Sequence, residues 1–208
     1  NPKYKTIFVF GGSQGSLPLN NFIKNHYQEF INNNIQVLWQ TGEREFEKYK
    51  KFKLNPKYKT IFVFGGSQGS LILNNFIKKH SKEFTNNNIQ VLWQTGEREF
   101  EKYKDFKNNF LKIKPYISDM ASAYASSDLI ISRSGALTCS EITICNKPSI
   151  LIPLPFSAGN HQLKNAEALN RAGACEILLE KELSDFNSIH KIIQILRDKK
   201  KLELMQKN

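Results

Sequence analysis

Five small or polar residues, Gly65-Gly66-Ser67-Gln68-Gly69, follow the apolar run Thr60–Phe64 and precede a segment in which leucine and isoleucine recur at helical spacing. Glycines allow a backbone to approach a ligand closely, and the free N–H groups of a helix N-terminus favour negative charge. The pattern therefore predicts a phosphate or diphosphate site. A Walker lysine and the full G-x-G-x-x-G spacing are both missing, so a tight strand-to-helix turn without a ligand is the alternative.

A second turn of small and polar residues follows the apolar run at 128–131. It contains Arg133, Ser134, Gly135, Ala136 and Thr138. Glu141 lies one helical turn beyond Leu137, and its carboxylate can accept two hydrogen bonds from the hydroxyl groups of a ribose. A glutamate that interacts only with the helix dipole is the alternative interpretation.

A third group of polar side chains stands at another predicted helix start. It consists of Asn160, His161, Gln162 and Asn165. Amide and imidazole groups can both donate and accept hydrogen bonds, which suits them to the hydroxyl groups of a sugar. Helix caps that face solvent are the alternative for these residues.

These turns require a scaffold that brings them together, and the alternation of strands and helices predicts one. The expected strands are Lys59–Phe64, Ile89–Trp93, Asn109–Lys114, Asp128–Ile131, Pro148–Ile152 and Cys175–Leu179. Helical segments are expected near 70–84, 95–104, 118–125, 137–145, 159–172 and 184–197, followed by a helical tail. The order predicts an α/β fold, a doubly wound, Rossmann-like parallel sheet with strand order 3-2-1-4-5-6. Ligands of such sheets bind at the carboxyl ends of the strands, where all three turns would lie.

The first part of the chain is a repeat. Residues 1–54 (the first copy) align without a gap to residues 55–108 (the second copy), and seven of the 54 positions differ. Arrays of stacked repeats need at least three copies, so a tandem duplication or an error in the gene sequence explains the pattern better. We expect two domains, a duplicated β-α-β-α unit at 1–54 and a ligand-binding Rossmann-like domain at 55–208.

The second copy is expected to complete the sheet, because it is continuous with the strand at Asn109–Lys114. The first copy then finds no free position beside the first strand. It must add outside the sheet, exchange with the second copy, or stay loosely attached, and exchange between chains would give a domain-swapped dimer.

Composition limits the partners and the compartment. The net charge is +11 over 208 residues, and the positive excess is spread along the chain. A lysine-rich solvated surface is the main interpretation and contact with an anionic membrane the alternative, while no motif that reads nucleic acid accompanies the charge. Three cysteines without C-x-x-C spacing argue against a disulfide framework or a zinc site and favour a reducing, cytoplasmic location. No signal peptide and no apolar run of about 20 residues is visible.

From about residue 55 onward, the motifs together closely resemble the C-terminal half of the MurG-type UDP-N-acetylglucosamine transferases of peptidoglycan synthesis. The matching segments are Phe64–Ser70, Tyr116–Met120, Ser132–Thr138 with Glu141, Pro153–Pro155, and His161-Gln162 with Asn165-Ala166. They span about 150 residues in the order and spacing of that family. The resemblance implies the donor-binding half of an inverting glycosyltransferase of the GT-B fold.

The resemblance also implies roles for individual residues. The donor-binding set is Gly65, Gly66, Ser67, Gln68, Gly69, Ile117, Met120, Arg133, Ser134, Gly135, Ala136, Thr138, Glu141, His161, Gln162 and Asn165. Ser67 and its neighbours would bind the diphosphate, the backbone of Ile117 the uracil, and Glu141 the ribose. Gln162 would bind the N-acetylglucosamine. No metal or cofactor is implied.

The acceptor half of that family, with its membrane-associating patch and the expected catalytic base, has no counterpart in these 208 residues. The catalytic residues are therefore unknown, and a lipid-linked muramyl-peptide acceptor is expected only if an acceptor half is supplied. The alternatives are a non-catalytic nucleotide-sugar-binding subunit that needs a separate partner, as in eukaryotic N-glycan assembly, and an inactive remnant of duplication. The expected location is cytoplasmic, with peripheral contact to the inner membrane as an option.

Overall fold

The computed structural model describes residues 4–10, 16–40, 49–106, 108–185 and 187–208. The chain divides into two compact units, an N-terminal unit at Asn1–Lys53 and a C-terminal unit at Leu54–Asn208. Within the described residues, no helix is both long and apolar enough to cross a membrane.

The C-terminal unit alternates strands with helices, as the sequence predicts. Its strands are β3 (Lys59–Phe64), β4 (Ile89–Gln94), β5 (Leu111–Lys114), β6 (Leu129–Ser132), β7 (Ser149–Leu151) and β8 (Cys175–Ile177). Its helices are α2 (Leu71–Lys79), α3 (Ser81–Asn86), α4 (Glu97–Phe100), α5 (Met120–Ala125), α6 (Ala136–Ile144), α7 (His161–Arg171), α8 (Asn187–Arg197) and α9 (Lys199–Lys207). Short 3-10 turns lie at Ala158–Asn160 and Glu180–Ser184.

All six strands of this unit are parallel and lie in the order β5-β4-β3-β6-β7-β8. Counted from β3 this is the order 3-2-1-4-5-6, so the predicted doubly wound sheet is confirmed. The second copy completes the sheet as expected. Because every strand runs the same way, the loops that follow β3, β4, β5, β6 and β7 all emerge at one edge.

The core explains why the strands read as continuous apolar runs. All of β4 and β6 is buried, and β3 is buried from Thr60 onward. Helix α8 covers the sheet with a stripe of buried residues at helical spacing, which includes Ile189, Ile192 and Leu196. Strands buried on both faces cannot alternate apolar and polar residues, since both faces need apolar contacts.

Two predicted helices differ from the observed ones. The segment 70–84 is divided at His80, which is buried against Phe76 with ring centroids 4.6 Å apart and ends α2. The segment 95–104 is helical only over Glu97–Phe100. Beyond it the N–H of Tyr103 bonds to the carbonyl of Phe100, three residues back, and this tighter turn places Tyr103 against Trp93. In the second segment, the buried contact between Tyr103 and Trp93 overrides the local helical pattern.

The N-terminal unit contains β1 (Lys5–Phe10), α1 (Leu17–Asn32) and β2 (Ile35–Gln40). Its two parallel strands pair in the register of their counterparts, with Lys5 opposite Ile35 as Lys59 is opposite Ile89. Pro18 lies in the first turn of α1, where a proline is tolerated. The predicted glycine turn at 11–15 and most of the charged segment at 41–50 lie outside the described residues.

Two of the seven differences between the copies fall on one side-chain contact. In the second copy the side-chain amide of Asn108 donates to the hydroxyl of Thr85 at 3.0 Å and approaches the carbonyl of Ser81 at 3.5 Å. The first copy has Ile31 in place of Thr85 and Leu54 in place of Asn108. The first copy therefore lacks both polar side chains of this contact.

Candidate functional site

An open cleft of about 520 Å³ lies at the carboxyl edge of the six-stranded sheet. Its lining residues are Gly65, Gly66, Gly69, Ser70, Leu71, Ile72, Arg133, Gly135, Thr138, Leu154 and Gln162. They come from the three turns singled out in the sequence and from the loop after β7. The sheet therefore brings the three turns to one place, as their position after parallel strands predicts.

Packing and conformation fix the glycine-rich loop that follows β3. A Cβ on Gly65 would collide with Ser70, and one on Gly69 would collide with the carbonyl oxygen of Thr95. Gly66 has a φ of +84° and accepts a hydrogen bond at 3.1 Å from the N–H of Gly69. The loop is thus a tight turn that only these glycines can form.

Two of the glycines also leave room. A Cβ on Gly66 or on Gly135 would meet no atom within 4 Å, and both residues line the cleft. Ser70 and Gly135 are the N-cap residues of α2 and α6, and neither gives its helix a side-chain capping bond within the described residues. Two helix N-termini with unused N–H groups therefore face the same cleft, which favours an anion there.

Arg133 lines the cleft but is committed to the protein. Its guanidinium forms an ion pair with Glu180 and donates to the hydroxyl of Ser70 at 3.1 Å. It also donates to the carbonyls of Ile152 and Pro153 at 3.2 and 3.3 Å. With these contacts Arg133 holds three segments of the site together. Because Glu180 offsets its positive charge, stabilisation of an anion would rest mainly on the helix N-termini.

Ser134 and Asn165 also join parts of the site. The buried hydroxyl of Ser134 donates to the carbonyl of Gln162 at 2.8 Å, and the amide of Asn165 donates to the carbonyl of Ser134 at 3.0 Å. Both bonds attach the second turn to α7. The hydroxyl of Ser134 and the amide of Asn165, both predicted to bind the ligand, therefore form hydrogen bonds that position the second turn against α7.

Gln162 is held so that one end of its amide remains for a ligand. Its Oε1 accepts from the N–H of Leu154 at 3.0 Å, so its NH2 group is the donor left at the cleft. His161 is exposed, and its Nδ1 lies 2.6 Å from the carbonyl of Ala158. A carbonyl can only accept, so Nδ1 carries the proton and Nε2 is the acceptor of the neutral ring.

Glu141 is oriented by a buried phenol. Its Oε2 accepts from the hydroxyl of Tyr124 at 2.9 Å, and the ring of Tyr124 packs edge-on against Phe62 and Phe64. Burial, and then the neighbouring Glu141 carboxylate, raise the pKa of Tyr124 well above its usual value, so it stays a donor. Glu141 lies one turn along α6 from Thr138 and so shares its side of the helix, which places a fixed carboxylate beyond the cleft lining.

The remaining predicted residues divide between exposed and buried positions. Ser67, Gln68 and Ala136 are exposed, and Met120 is half-buried at the start of α5. Ile117 is buried, and its N–H donates to the side chain of Gln94 at 2.8 Å. The backbone of Ile117 was expected to bind the uracil base. Its N–H is already used by Gln94, so only its carbonyl remains for a base.

Sequence reasoning missed Gln94. It is the last residue of β4, is 2% exposed, and its amide also donates to the carbonyl of Gly66 at 3.1 Å. A buried glutamine at the carboxyl end of a strand was a usable signal, because a buried amide must find partners. The strand pattern around Trp93 concealed it.

The titratable groups in the described part of the chain are not arranged to hold a metal. In the described ranges, no group of three His, Cys, Asp or Glu side chains is placed to hold a metal ion. Cys139, Cys145 and Cys175 are free thiols, and burial raises the pKa of each.

A model of the glycosyltransferase family 28 C-terminal domain matches residues 6–59 and 60–208. The chain belongs to this glycosyltransferase family. The family resemblance expected from the motifs is thereby confirmed. The two matched segments begin at residues 6 and 60, which are equivalent positions of the two copies.

Family 28 relatives include the UDP-N-acetylglucosamine--N-acetylmuramyl-(pentapeptide) pyrophosphoryl-undecaprenol N-acetylglucosamine transferases of two bacteria. The chain is 39% identical to that of Cytophaga hutchinsonii over 167 residues, covering 78% of this chain and 42% of the relative. It is 42% identical to that of Flavobacterium psychrophilum over 171 residues, covering 80% and 45%. The chain thus spans less than half the length of these curated relatives and corresponds to their C-terminal part.

Two solved glycosyltransferase structures are similar in fold to this family 28 chain. The crystal structure of Acinetobacter baumannii MurG is similar with a TM-score of 0.60 at 21% identity, covering 97% of this chain and 62% of that one. The calicheamicin glycosyltransferase CalG4 gives 0.61 at 15% identity, covering 74% and 37%. The predicted Rossmann-like fold of a GT-B glycosyltransferase is confirmed by these neighbours.

Proposed function

We propose that residues 55–208 bind UDP-N-acetylglucosamine as the donor half of a transferase of peptidoglycan synthesis. The observation that carries this is the cleft in which two uncapped helix N-termini and the open space beside Gly66 and Gly135 meet Thr138 and Gln162. The similarity to named N-acetylglucosamine transferases supports the choice of donor.

The proposal gives each part of the donor a place. The diphosphate would lie on the N–H groups of α2 and α6 beside Gly66, with Ser67 and Gln68 at the loop surface. Glu141 would accept from the ribose hydroxyls, and Gln162 would donate to the sugar. The uracil would lie at the carbonyl of Ile117 near Met120, because the Ile117 N–H is already used.

The proposed reaction is inverting and needs a second protein part. A base outside these residues would take the proton of the acceptor hydroxyl, whose oxygen attacks the anomeric carbon as UDP leaves. The helix N-termini at the cleft would stabilise the negative charge that develops on the diphosphate. No step of this scheme uses a metal or a cofactor.

Binding of UDP tests the donor site directly. Millimolar UDP should raise the melting temperature of the wild-type chain, and Glu141→Ala should weaken UDP binding about tenfold or more, since two hydrogen bonds to ribose are lost. Tyr124→Phe should have a smaller effect, because it removes only the donor that orients Glu141. Calorimetric titration measures the UDP affinities of the wild-type, Glu141→Ala and Tyr124→Phe chains. Ser140→Ala on the exposed side of α6 is the matched control.

A wild-type chain whose melting temperature and calorimetric heats do not respond to millimolar UDP would contradict the proposal. Equal affinities for the wild-type, Glu141→Ala and Ser140→Ala chains would instead contradict the role of Glu141.

A separate acceptor partner is the second candidate, and a specific observation favours it. Leu71, Ile72 and Leu154 line the cleft and are 51%, 40% and 44% exposed. Apolar side chains at the rim of a ligand cleft suit a covering partner. Mixing the chain with a separately produced acceptor half should restore UDP release from UDP-N-acetylglucosamine, whereas an inert mixture would favour a binding subunit or a remnant.

The further proposals concern assembly and location. Phe8 and Leu38 of the N-terminal unit are 54% and 62% exposed, and exchange of the two copies between chains would cover them in a swapped dimer, which light scattering would detect.

The distributed charge of +11 supports peripheral contact with anionic lipid on the cytoplasmic face, which a vesicle sedimentation assay would measure. The lipid-linked muramyl-peptide acceptor belongs to the assembled enzyme.

A further inference from the structure

Gln94 stands between two loops of the proposed donor site. It ends the strand β4, where it lies opposite Phe64 of β3 on one side and Lys114 of β5 on the other. Two residues after Phe64 comes Gly66, and three after Lys114 comes Ile117. The middle strand thus carries one side chain that can reach the loops of both neighbours.

The side chain makes one hydrogen bond to each loop. Its Nε2 donates to the carbonyl of Gly66 at 3.1 Å, and its Oε1 accepts from the N–H of Ile117 at 2.8 Å. Only one orientation of the amide satisfies both partners, because a carbonyl cannot donate and an N–H cannot accept. At 2% exposure water cannot easily replace either bond.

The residues next to Gln94 hold the same loop. The carbonyl of Thr95 lies against Gly69, and it also accepts from the buried amide of Asn74 at 2.9 Å. Gly96 packs with its Cα against Gln68. The end of β4 therefore fixes the glycine-rich loop at several points. It also holds the loop after β5, where Gly96 donates its N–H to the carbonyl of Pro115 at 3.0 Å and Gln94 bonds to Ile117 itself.

We propose that Gln94 is a positioning residue that sets the spacing between the diphosphate loop and the base loop, and so decides both the affinity and the base preference for a nucleoside diphosphate. This inference rests on the proposed function. By using the Ile117 N–H, Gln94 leaves a carbonyl as the backbone group for the base. A carbonyl accepts from the N3–H of uracil, whereas N3 of cytosine is itself an acceptor.

Two substitutions separate the two bonds. Gln94→Leu removes both, while Gln94→Glu keeps the acceptor for Ile117 and, when ionised, loses the donor to Gly66. Gln40→Leu makes the same change at the equivalent position of the first copy and is the matched control. The measurements are calorimetric affinities for UDP, CDP and inorganic pyrophosphate, together with the melting temperature.

We expect Gln94→Leu to weaken UDP binding about tenfold or more and to reduce the preference for UDP over CDP. Gln94→Glu at pH 8.5 should lose UDP and pyrophosphate affinity but keep the base preference. As the pH falls its affinity should approach the wild-type value at the same pH, because a protonated carboxyl group donates to Gly66 as the amide does. Gln40→Leu should bind as the wild type does.

A Gln94→Leu chain that melts earlier but keeps both the UDP affinity and the base preference would overturn the inference, since its role would then be structural only. Should that variant not fold, the Gln94→Glu chain decides, and a binding profile parallel to the wild type at every pH has the same meaning. A wild-type chain that binds no UDP overturns the proposed function and this inference with it.

Discussion

The two copies share 47 of 54 residues, yet equivalent side chains differ sharply in exposure. Phe8 is 54% exposed, whereas its counterpart Phe62 is fully buried, and Leu38 is 62% exposed where Leu92 is fully buried. The ring of Tyr124 packs against Phe62, and residues 109–208, which supply it, occur once in the chain. An apolar run in a strand therefore predicts only that its residues are suited to burial. Whether they are buried depends on other segments of the chain, here residues 109–208, that pack against the strand.

Other features are equal in both copies and must be encoded locally. The two strands pair in the same register, and the indole N–H of Trp39 donates to Asn20 at 2.9 Å as that of Trp93 donates to Asn74 at 2.8 Å. Each of these contacts lies within one β-α-β unit. The comparison thus separates what 54 residues determine alone from what they need a neighbour to achieve.

The largest expected difference concerns the two phenylalanines. Phe62→Ala should lower the free energy of unfolding of the C-terminal unit by about 3–5 kcal/mol, because it leaves a cavity in a close-packed core. Phe8→Ala should cost about 1 kcal/mol or less, since half of that ring is already in water. The chain has two tryptophans, one in each unit, so fluorescence-detected denaturation in Trp39→Phe and Trp93→Phe backgrounds follows each unit separately.

Equal costs for Phe8→Ala and Phe62→Ala would show that the first copy buries its sheet face as the second does. That result would break the contrast between the copies and would point to an exchanged dimer, in which both phenylalanines are covered.

A smaller difference is expected for the two asparagines. Asn74 is 1% exposed and bonds both Trp93 and the carbonyl of Thr95, so Asn74→Ala should cost about 2 kcal/mol by leaving buried groups without partners. Asn20→Ala should cost less, about 0.5–1 kcal/mol, because water can reach the indole N–H of the half-buried Trp39, although Asn20 itself is 5% exposed. The same fluorescence-detected denaturation measures both.

A zero cost for Asn20→Ala would argue that the first copy is not folded as a β-α-β unit in solution.

Much of the fold followed from local patterns in the sequence. The strand at Lys59–Phe64 was predicted to the residue. Turns rich in glycine and polar residues after parallel strands also located the cleft. These successes share a cause, since periodicity and turn chemistry are local properties.

What the sequence could not supply were contacts between distant segments. The packing of Tyr103 against Trp93 accompanies the early end of α4, and the ion pair of Arg133 with Glu180 joins residues 47 positions apart. Gln94 lay just beyond the predicted strand Ile89–Trp93, and its two bonds exist only because β4 lies between β3 and β5. Polar residues that position a site therefore need the sheet order before their role can be recognised.

The contact between Asn108 and Thr85 bears on the ancestry of the gene. Asn108 also accepts from the N–H of Phe110 at 2.9 Å, whereas the residue two places after Leu54 is Pro56, which has no N–H. Leucine at 54 cannot accept a hydrogen bond, and the proline that follows has no N–H to donate, so no backbone donor loses a partner there. A tandem duplication, as opposed to an error in the gene sequence, would place the two variants of this segment in one polypeptide. A peptide spanning Lys48–Glu83, released by glutamyl endopeptidase from the native cells, would show both variants translated in a single polypeptide.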